Sequence, residues 1–197
     1  MLDVVGSVQA ALVRRTVARA RAGDADAVAR LYSLYAPRVY RFALVRVEAR
    51  ADAEDILQQT FVKMIEALPR YEDRGLPFAA WLFRIARNTM IDIARADRGQ
   101  VDLGAVPEHA EARHGPAEQA EAASDRAAIR AAIGRLSADQ QLVIEYRFFA
   151  GLSTREIAQL MDRQDGAIRA IQFRAVRALR DDLGPSRDLL SATGERT

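Results

Sequence analysis

The sequence predicts an all-α chain of two small helical domains: a four-helix N-terminal domain and a helix-turn-helix C-terminal domain, joined by a flexible acidic linker. Three observations carry this. Apolar residues recur at three- and four-residue spacing through residues 8–98 and again through 124–183, the period of helices with one buried face. No stretch alternates with period two, so no strand is expected. Between Gly99 and Ala123 the periodicity fails, and Gly99, Gly104, Pro107, Gly115 and Pro116 stand among several acids. The resulting divisions are 1–99, a linker at 100–123, 124–184 and a tail at 185–197.

The elements follow in order. Val8 to Ala22 is amphipathic and is stopped by Gly23, a residue suited to a helix C-terminus. Asp24 can cap the next helix, which carries Val28, Leu31, Tyr32, Leu34 and Tyr35 and continues through Val39, Phe42 and Val47, with a kink expected at Pro37. A third helix runs from about Ala51 to Leu68. Asp52, Glu54 and Asp55 lie at its positive end, and its expected apolar stripe is Leu57, Phe61, Met64 and Leu68. Pro69 to Pro77 breaks the pattern. A fourth helix, from about Phe78 to Arg98, holds Trp81, Leu82, Ile85, Met90 and Ile93. Beyond the linker, helices fill the chain from near Ser124 to Leu183, although Ala117–Ala123 can already belong to an early helical turn. Gly184-Pro185 ends them.

Composition removes several classes of function. The chain has 197 residues, half of them hydrophobic, enough for a real core. No apolar run approaches the ~18 residues that span a bilayer. Met1 to Gln9 lacks a basic segment followed by a long apolar stretch, so no secretory signal is expected and the expected location is cytoplasmic. Cysteine is absent and the two histidines, His109 and His114, fall in the linker. That leaves no thiolate chemistry and no His-ligated metal centre. No acid pair, phosphate-binding glycine loop or nucleophile motif appears, so no enzyme, catalytic residue, metal or cofactor is expected. The charge is uneven: +4 over residues 1–99, −4 over 100–123 and +2 over 124–184. Of the 29 bases only Lys63 is lysine. Arginine suits bidentate phosphate contacts, though an Arg- and Ala-rich composition also follows from a GC-rich genome.

The sharpest local motif is Leu152-Ser153-Thr154-Arg155-Glu156-Ile157-Ala158-Gln159-Leu160-Met161. Ser153 and Glu156 form a capping box before an apolar run. Asp162 to Gln164 then leads into a longer helix with Ile168, Ile171, Ala175 and Leu179 on one face. Arg169, Phe173 and Arg177 fall on another, with Arg174 and Arg180 beside them. A short helix, a tight turn and an Arg-faced longer helix make a helix-turn-helix whose second helix suits a DNA major groove.

These residues resemble region four of sigma-70-family transcription initiation factors. The matching stretches are Leu136 with Asp139-Gln140-Gln141, Tyr146-Arg147-Phe148, Gly151-Leu152-Ser153, Glu156-Ile157-Ala158, Gly166-Ala167-Ile168-Arg169 and Arg174-Ala175. LuxR-type regulators share such a motif, so this half alone leaves a one-component LuxR-like regulator open, and beside it a helical adaptor. The N-terminal block distinguishes them. Asp52-Ala53-Glu54-Asp55-Ile56-Leu57-Gln58-Gln59-Thr60-Phe61 is similar to the family's polymerase-binding helix. Pro77-Phe78-Ala79-Ala80-Trp81-Leu82-Phe83-Arg84-Ile85-Ala86-Arg87-Asn88, with Asp92, is similar to its promoter-melting helix, and Tyr35-Ala36-Pro37-Arg38-Val39-Tyr40 also fits. Two domains with only a short linker resemble the extracytoplasmic-function (ECF) class. The chain departs from the pattern at Gln59, where an acid is usual, at Met161-Asp162-Arg163 in place of Leu-Gly-Ile, and at Ala170 and Ile171 in the recognition helix.

The resemblance implies a bacterial factor that directs core RNA polymerase to promoters. The expected partners are the beta-prime and beta subunits, promoter DNA and, in this class, an anti-sigma factor, with no insertion into a membrane. Asp55, Gln58, Gln59, Val62 and Glu66 lie off the apolar stripe and face the beta-prime coiled coil on this reading. Arg74, Arg84, Arg87, Asn88 and Arg95 are the candidates for holding the opened strand at the minus-ten element. Trp81 reads more readily as a core anchor than as a base stacker. Arg169, Phe173, Arg174 and Arg177 are the candidates for the minus-35 element. Ala170 and Ile171 offer no base hydrogen bonds. Either reading there rests on the arginines, or the helix is rotated and Ile171 is core. The linker acids Asp102, Glu108, Glu111, Glu118 and Glu121 would resemble nucleic acid in the polymerase channel, or simply keep the connector solvated.

Overall fold

A computed structural model describes residues 2–99 and 116–184. Its helices are α1 (Leu2–Arg21), α2 (Ala25–Leu44), α3 (Arg50–Ala67), α4 (Phe78–Gly99), α5 (Pro116–Arg135), α6 (Ala138–Ile144), α7 (Thr154–Met161) and α8 (Asp165–Leu183). A 3-10 turn at Leu68–Arg70 follows α3, and a π-turn at Glu145–Phe149 follows α6. No strand occurs among the described residues. Of the linker acids Asp102, Glu108 and Glu111 lie outside them, as does the tail from residue 185.

Asp24 caps α2 as the sequence indicates: its carboxylate accepts from the Ala27 N–H at 3.0 Å and pairs with Arg19. Those contacts, the Ala27 N–H first, lower its pKa. The expected kink does not divide α2, which runs as one helix through Pro37. In α3 the buried row is Ala53, Ile56, Thr60, Phe61 and Met64, and Leu57 is only partly buried. The expected stripe holds at Phe61, Met64 and Leu68 and departs only at Leu57, in whose place Ile56 and Thr60 are buried. α3 packs against both α2 and α4, so its buried face is wider than one stripe and centres on Ile56, Thr60 and Met64. α5 begins at Pro116, so the helical turn left open for Ala117–Ala123 is formed and the helix does not wait for Ser124. Proline fits the first turn of a helix, and the alanines after it are strong helix formers.

The N-terminal unit buries Leu31, Phe42, Ile56, Met64, Leu82 and Phe83 completely; the C-terminal unit does the same with Ile144, Leu152, Ile157, Ile168 and Leu179. The two cores meet. The Phe42 and Phe149 rings lie 5.9 Å apart at 71°, an edge-on contact between α2 and the π-turn. Arg38 Nε donates to the Phe149 carbonyl at 2.8 Å, and Arg130 Nη1 donates to the Val47 carbonyl at 2.7 Å. The π-turn, closed by the Ala150 N–H to the Glu145 carbonyl at 3.0 Å, inserts the extra residue that turns Glu145, Tyr146 and Phe149 inward together.

Candidate nucleic-acid and partner interfaces

The outer face of α3 is built by burying its opposite face. With Ile56, Thr60 and Met64 inside, Asp55, Gln58, Gln59, Val62 and Glu66 all point to solvent. Val62 is 55% exposed and Ile65 50%, an apolar pair flanked by amides and acids. Ile65 was missed in the sequence, although it is an apolar residue off the stripe. Phe61 is buried under the half-exposed Tyr32, ring centroids 4.7 Å apart. A surface with an apolar centre and a polar rim suits a protein partner.

The second surface is α4 and the loop before it. Gly75, at φ +78°, closes a turn in which its N–H donates to Asp73 Oδ1 at 2.9 Å, and Arg74 beside it is fully at the surface, held by Glu72 at 2.9 Å. Trp81 packs between Tyr71 (4.8 Å) and Phe78 (5.3 Å), the anchoring role read for it in the sequence. Arg84, Asn88 and Arg95 share one exposed face of α4, at spacings of four and seven. Arg87 does not join them. It is half-buried and faces the second unit, where its charge acts on Glu145. Arg70, which sequence reasoning passed over, lines a cavity of about 400 Å³ with Arg74, Trp81 and Arg84.

The third surface is α8. The capping box holds α7: Glu156 Oε2 accepts from the Ser153 N–H at 2.7 Å while the Glu156 N–H donates to Ser153 Oγ at 3.3 Å. Asp162 ends α7 in the left-handed region at φ 52°, filling the position usually given to glycine. Arg163 binds Asp139 of α6 at 2.6 Å and fixes the turn. α8 then buries Ile168, Ile171, Ala175 and Leu179. Ile171 is therefore core, which settles the choice left open by the sequence. Gly166, Ala170, Phe173 and Arg177 point outward, with Arg169, Arg174 and Arg180 at the flanks. Phe173 is 69% exposed, the most exposed large apolar side chain among the described residues. Arg177 is 3.8 Å from the exposed Asp181; Arg169 and Arg174 have no ion pair among the described residues.

No group of acids, histidines or cysteines among the described residues has the arrangement of a metal site. No described helix is long and apolar enough to cross a membrane.

Residues 31–99 match the model of Sigma-70 region 2, and residues 132–181 match that of Sigma-70, region 4. The chain is 37% identical over 165 residues to the ECF RNA polymerase sigma factor BldN of Streptomyces coelicolor, covering 83% of this chain and 62% of that relative's length. It is 32% identical over 174 residues to the ECF RNA polymerase sigma factor SigL of Mycobacterium tuberculosis, covering 87% and 98%. Among solved structures it is similar to CnrH in complex with the cytosolic domain of CnrY (TM-score 0.62, 25% identity, 85% and 94% covered). It is also similar to the sigma factor RpoE of Bartonella quintana in complex with the anti-sigma factor NepR (TM-score 0.52, 26% identity, 80% and 97% covered).

Proposed function

The chain belongs to the ECF class of the sigma-70 family, and from that premise we propose how its three surfaces divide the work of a sigma factor in transcription initiation. The outer face of α3 docks on core RNA polymerase, with Val62 and Ile65 as the apolar centre and Asp55, Gln58, Gln59 and Glu66 around it. Arg84, Asn88 and Arg95 on α4, with Arg70 and Arg74 before it, track the opened strand. An extruded base loses a few kcal/mol of stacking and pairing, which stacking and hydrogen bonds at this face must return. Arg169, Phe173, Arg174 and Arg177 on α8 read the upstream element in duplex form. No covalent step is needed: the protein supplies an address and holds a strand. The factor works in the cytoplasm, and the anti-sigma factor bound to the relative RpoE supports a regulator of the same kind here.

The observation that carries this reading is the occurrence, in one chain and in order, of a region 2 match over α2–α4 and a region 4 match over α5–α8. A LuxR-like regulator accounts for the second alone. The division of labour is tested by comparing transcription from duplex templates with transcription from templates carrying a pre-opened bubble. Arg169→Ala with Arg174→Ala is expected to weaken use of the duplex upstream element and leave the bubbled template nearly unaffected, and Asn88→Ala is expected to do the reverse. Equal failure of both variants on the bubbled template overturns the division.

A further inference from the structure

Apart from the three surfaces, the structure holds a cavity of about 710 Å³. Three parts of the chain wall it. α1 supplies Val13, Arg14, Val17 and Arg21, which recur at three- and four-residue spacing and so share one face. The loop before α4 supplies Tyr71, Leu76 and Pro77, and the stretch from Arg147 to Glu156 closes another side. α1 precedes the residues matched to region 2, so its wall is no part of that match. The cavity shares Tyr71, Leu76 and Pro77 with the smaller one of about 400 Å³, but none of that cavity's arginines. Its volume falls within the roughly 300–1,000 Å³ of sites that hold small organic ligands.

The charges that reach it do not balance. Arg14, Arg21, Arg38 and Arg147 stand against Asp73 and Glu156, and both acids are already engaged. Asp73 accepts from the Gly75 N–H at 2.9 Å and faces Arg14 at 3.7 Å; Glu156 accepts from the Ser153 N–H and hydroxyl, each at 2.7 Å. Two of the arginines converge on one short segment. Arg38 Nε donates to the Phe149 carbonyl at 2.8 Å, and Arg147 Nη1 donates to the Leu152 carbonyl at 3.0 Å. Gly151 between them makes the approach possible, since a Cβ there would run into the Arg38 guanidinium. Arg147 has no ion pair among the described residues. The Arg38 guanidinium also lies 5.7 Å from the centre of the Tyr35 ring. Tyr35 is 4% exposed and lines the cavity, yet its hydroxyl has no hydrogen-bond partner among the described residues. A buried polar group without a partner is costly and calls for one. Burial raises its pKa to about 12, so at neutral pH the hydroxyl keeps its proton and can donate it in a hydrogen bond.

We propose that this cavity binds a small amphipathic organic acid, with its carboxylate between the Arg38 and Arg147 guanidiniums, its remaining lone pairs accepting from the Tyr35 hydroxyl, and its apolar body against Val13, Val17 and Leu76. The head is a carboxylate because a planar guanidinium presents paired donors that match a planar, two-oxygen acceptor. The body is apolar because the walls away from the arginines are aliphatic and aromatic, with no buried donor left over for a polar one. Such a site gives the chain a direct small-molecule input. It goes beyond the sigma-factor reading and does not depend on it.

The test titrates the full chain, labelled with nitrogen-15, with naphthalene-1-acetate, with the neutral naphthalene-1-acetamide and with acetate alone. The aryl acid is expected to shift the amide resonances of residues 13–21, 71–79 and 147–153 saturably. The neutral amide is expected to bind about tenfold or more weakly, because hydrogen bonds to a charged group are the stronger ones. Acetate alone is expected to give no saturable shift. Tyr35→Phe removes only the hydroxyl. Since that hydroxyl has no partner among the described residues, the variant is expected to keep the melting temperature of the free chain while binding the aryl acid severalfold more weakly. Arg147→Gln, at an exposed position, is expected to weaken the acid about tenfold and to bring it level with the neutral amide. Arg30→Gln, exposed on α2 and outside the cavity, removes the same charge and is expected to leave binding unchanged. The absence of a saturable shift with the aryl acid overturns the proposal, as does equal binding of the acid and its amide by the wild-type chain. So does unchanged binding in both Tyr35→Phe and Arg147→Gln, or equal weakening by Arg147→Gln and Arg30→Gln.

Discussion

At Phe173 an aromatic ring is 69% exposed in the middle of the outward face of α8, between Gly166, Ala170 and Arg177. Such a ring has no folding role, and with Ala170 beside it the centre of the face offers apolar contact rather than hydrogen bonds. In the major groove that chemistry matches the thymine methyl group. Replacing single thymines by deoxyuridine in the preferred upstream element is expected to cost about fourfold in holoenzyme binding at one position, the ~0.8 kcal/mol of one buried methyl-sized group. Phe173→Ala should remove that sensitivity; a variant that keeps it shows that another side chain meets the methyl. Gln58 and Gln59 belong to the same scale. Both are exposed and neither fills the core, so Gln58→Ala with Gln59→Ala is expected to change stability by no more than about 0.5 kcal/mol. The same double variant is expected to raise the dissociation constant for core polymerase severalfold, read by fluorescence anisotropy. Unchanged affinity would move the docking face elsewhere. Both sets of residues were legible in the sequence because an amphipathic helix announces its outer face by what its inner face excludes. Arg87 shows the limit: its spacing placed it with Arg84 and Arg95, but helical spacing cannot register a second unit packed against one edge of α4.

The turn between α7 and α8 carries a testable strain. Asp162 sits at φ 52°, where an L-residue with a Cβ loses about 1–2 kcal/mol and a short polar side chain loses less. Asp162→Gly is expected to leave the melting temperature unchanged or higher. Asp162→Val, β-branched in a left-handed position, is expected to lower stability by about 1–2 kcal/mol, seen as a loss of several degrees in thermal unfolding. Equal melting of both variants would mean that the turn relaxes without cost. The Arg163–Asp139 pair contributes little to that balance, since both side chains are nearly half exposed and such pairs give at most about 1 kcal/mol. At this scale the sequence foretold the capping box, the turn and the class of nearly every helix, because caps, glycines and three-four spacing are local signals. It did not foresee Ile56 and Thr60 on the buried face of α3, and it left the start of α5 open between Ala117 and Ser124. The first depends on α3 packing against two neighbours at once, and the second on an alanine-rich stretch that has no apolar period to read. The π-turn had no sequence signal at all: only the docking of Phe149 on Phe42 accounts for its inward residues.

Across the whole molecule, the two helical units were visible as separate periodic blocks, but their contact was not. It is made by arginines that look like solvated charges in sequence: Arg38 on a backbone carbonyl, Arg46 against Glu145, and Arg130 on Val47. Each reaches across more than eighty residues of chain, a separation at which no periodicity operates. The modest charge of each unit, +4 and +2, belongs to this scale too. Few phosphates can be neutralised by the chain alone, so its binding to duplex DNA should be weak, with only a modest salt-dependent part. Specificity is then expected to appear only when polymerase holds both units along one promoter. The direct measurement is run-off transcription from a randomised promoter library with purified bacterial core polymerase, alongside gel-shift of the same library by the free chain at physiological salt. The account predicts that core polymerase with this chain enriches a two-element promoter, that neither alone does so, and that the free chain selects no sequence. Tight, sequence-selective binding by the free chain, with no promoter-dependent transcript in the presence of core polymerase, would contradict it.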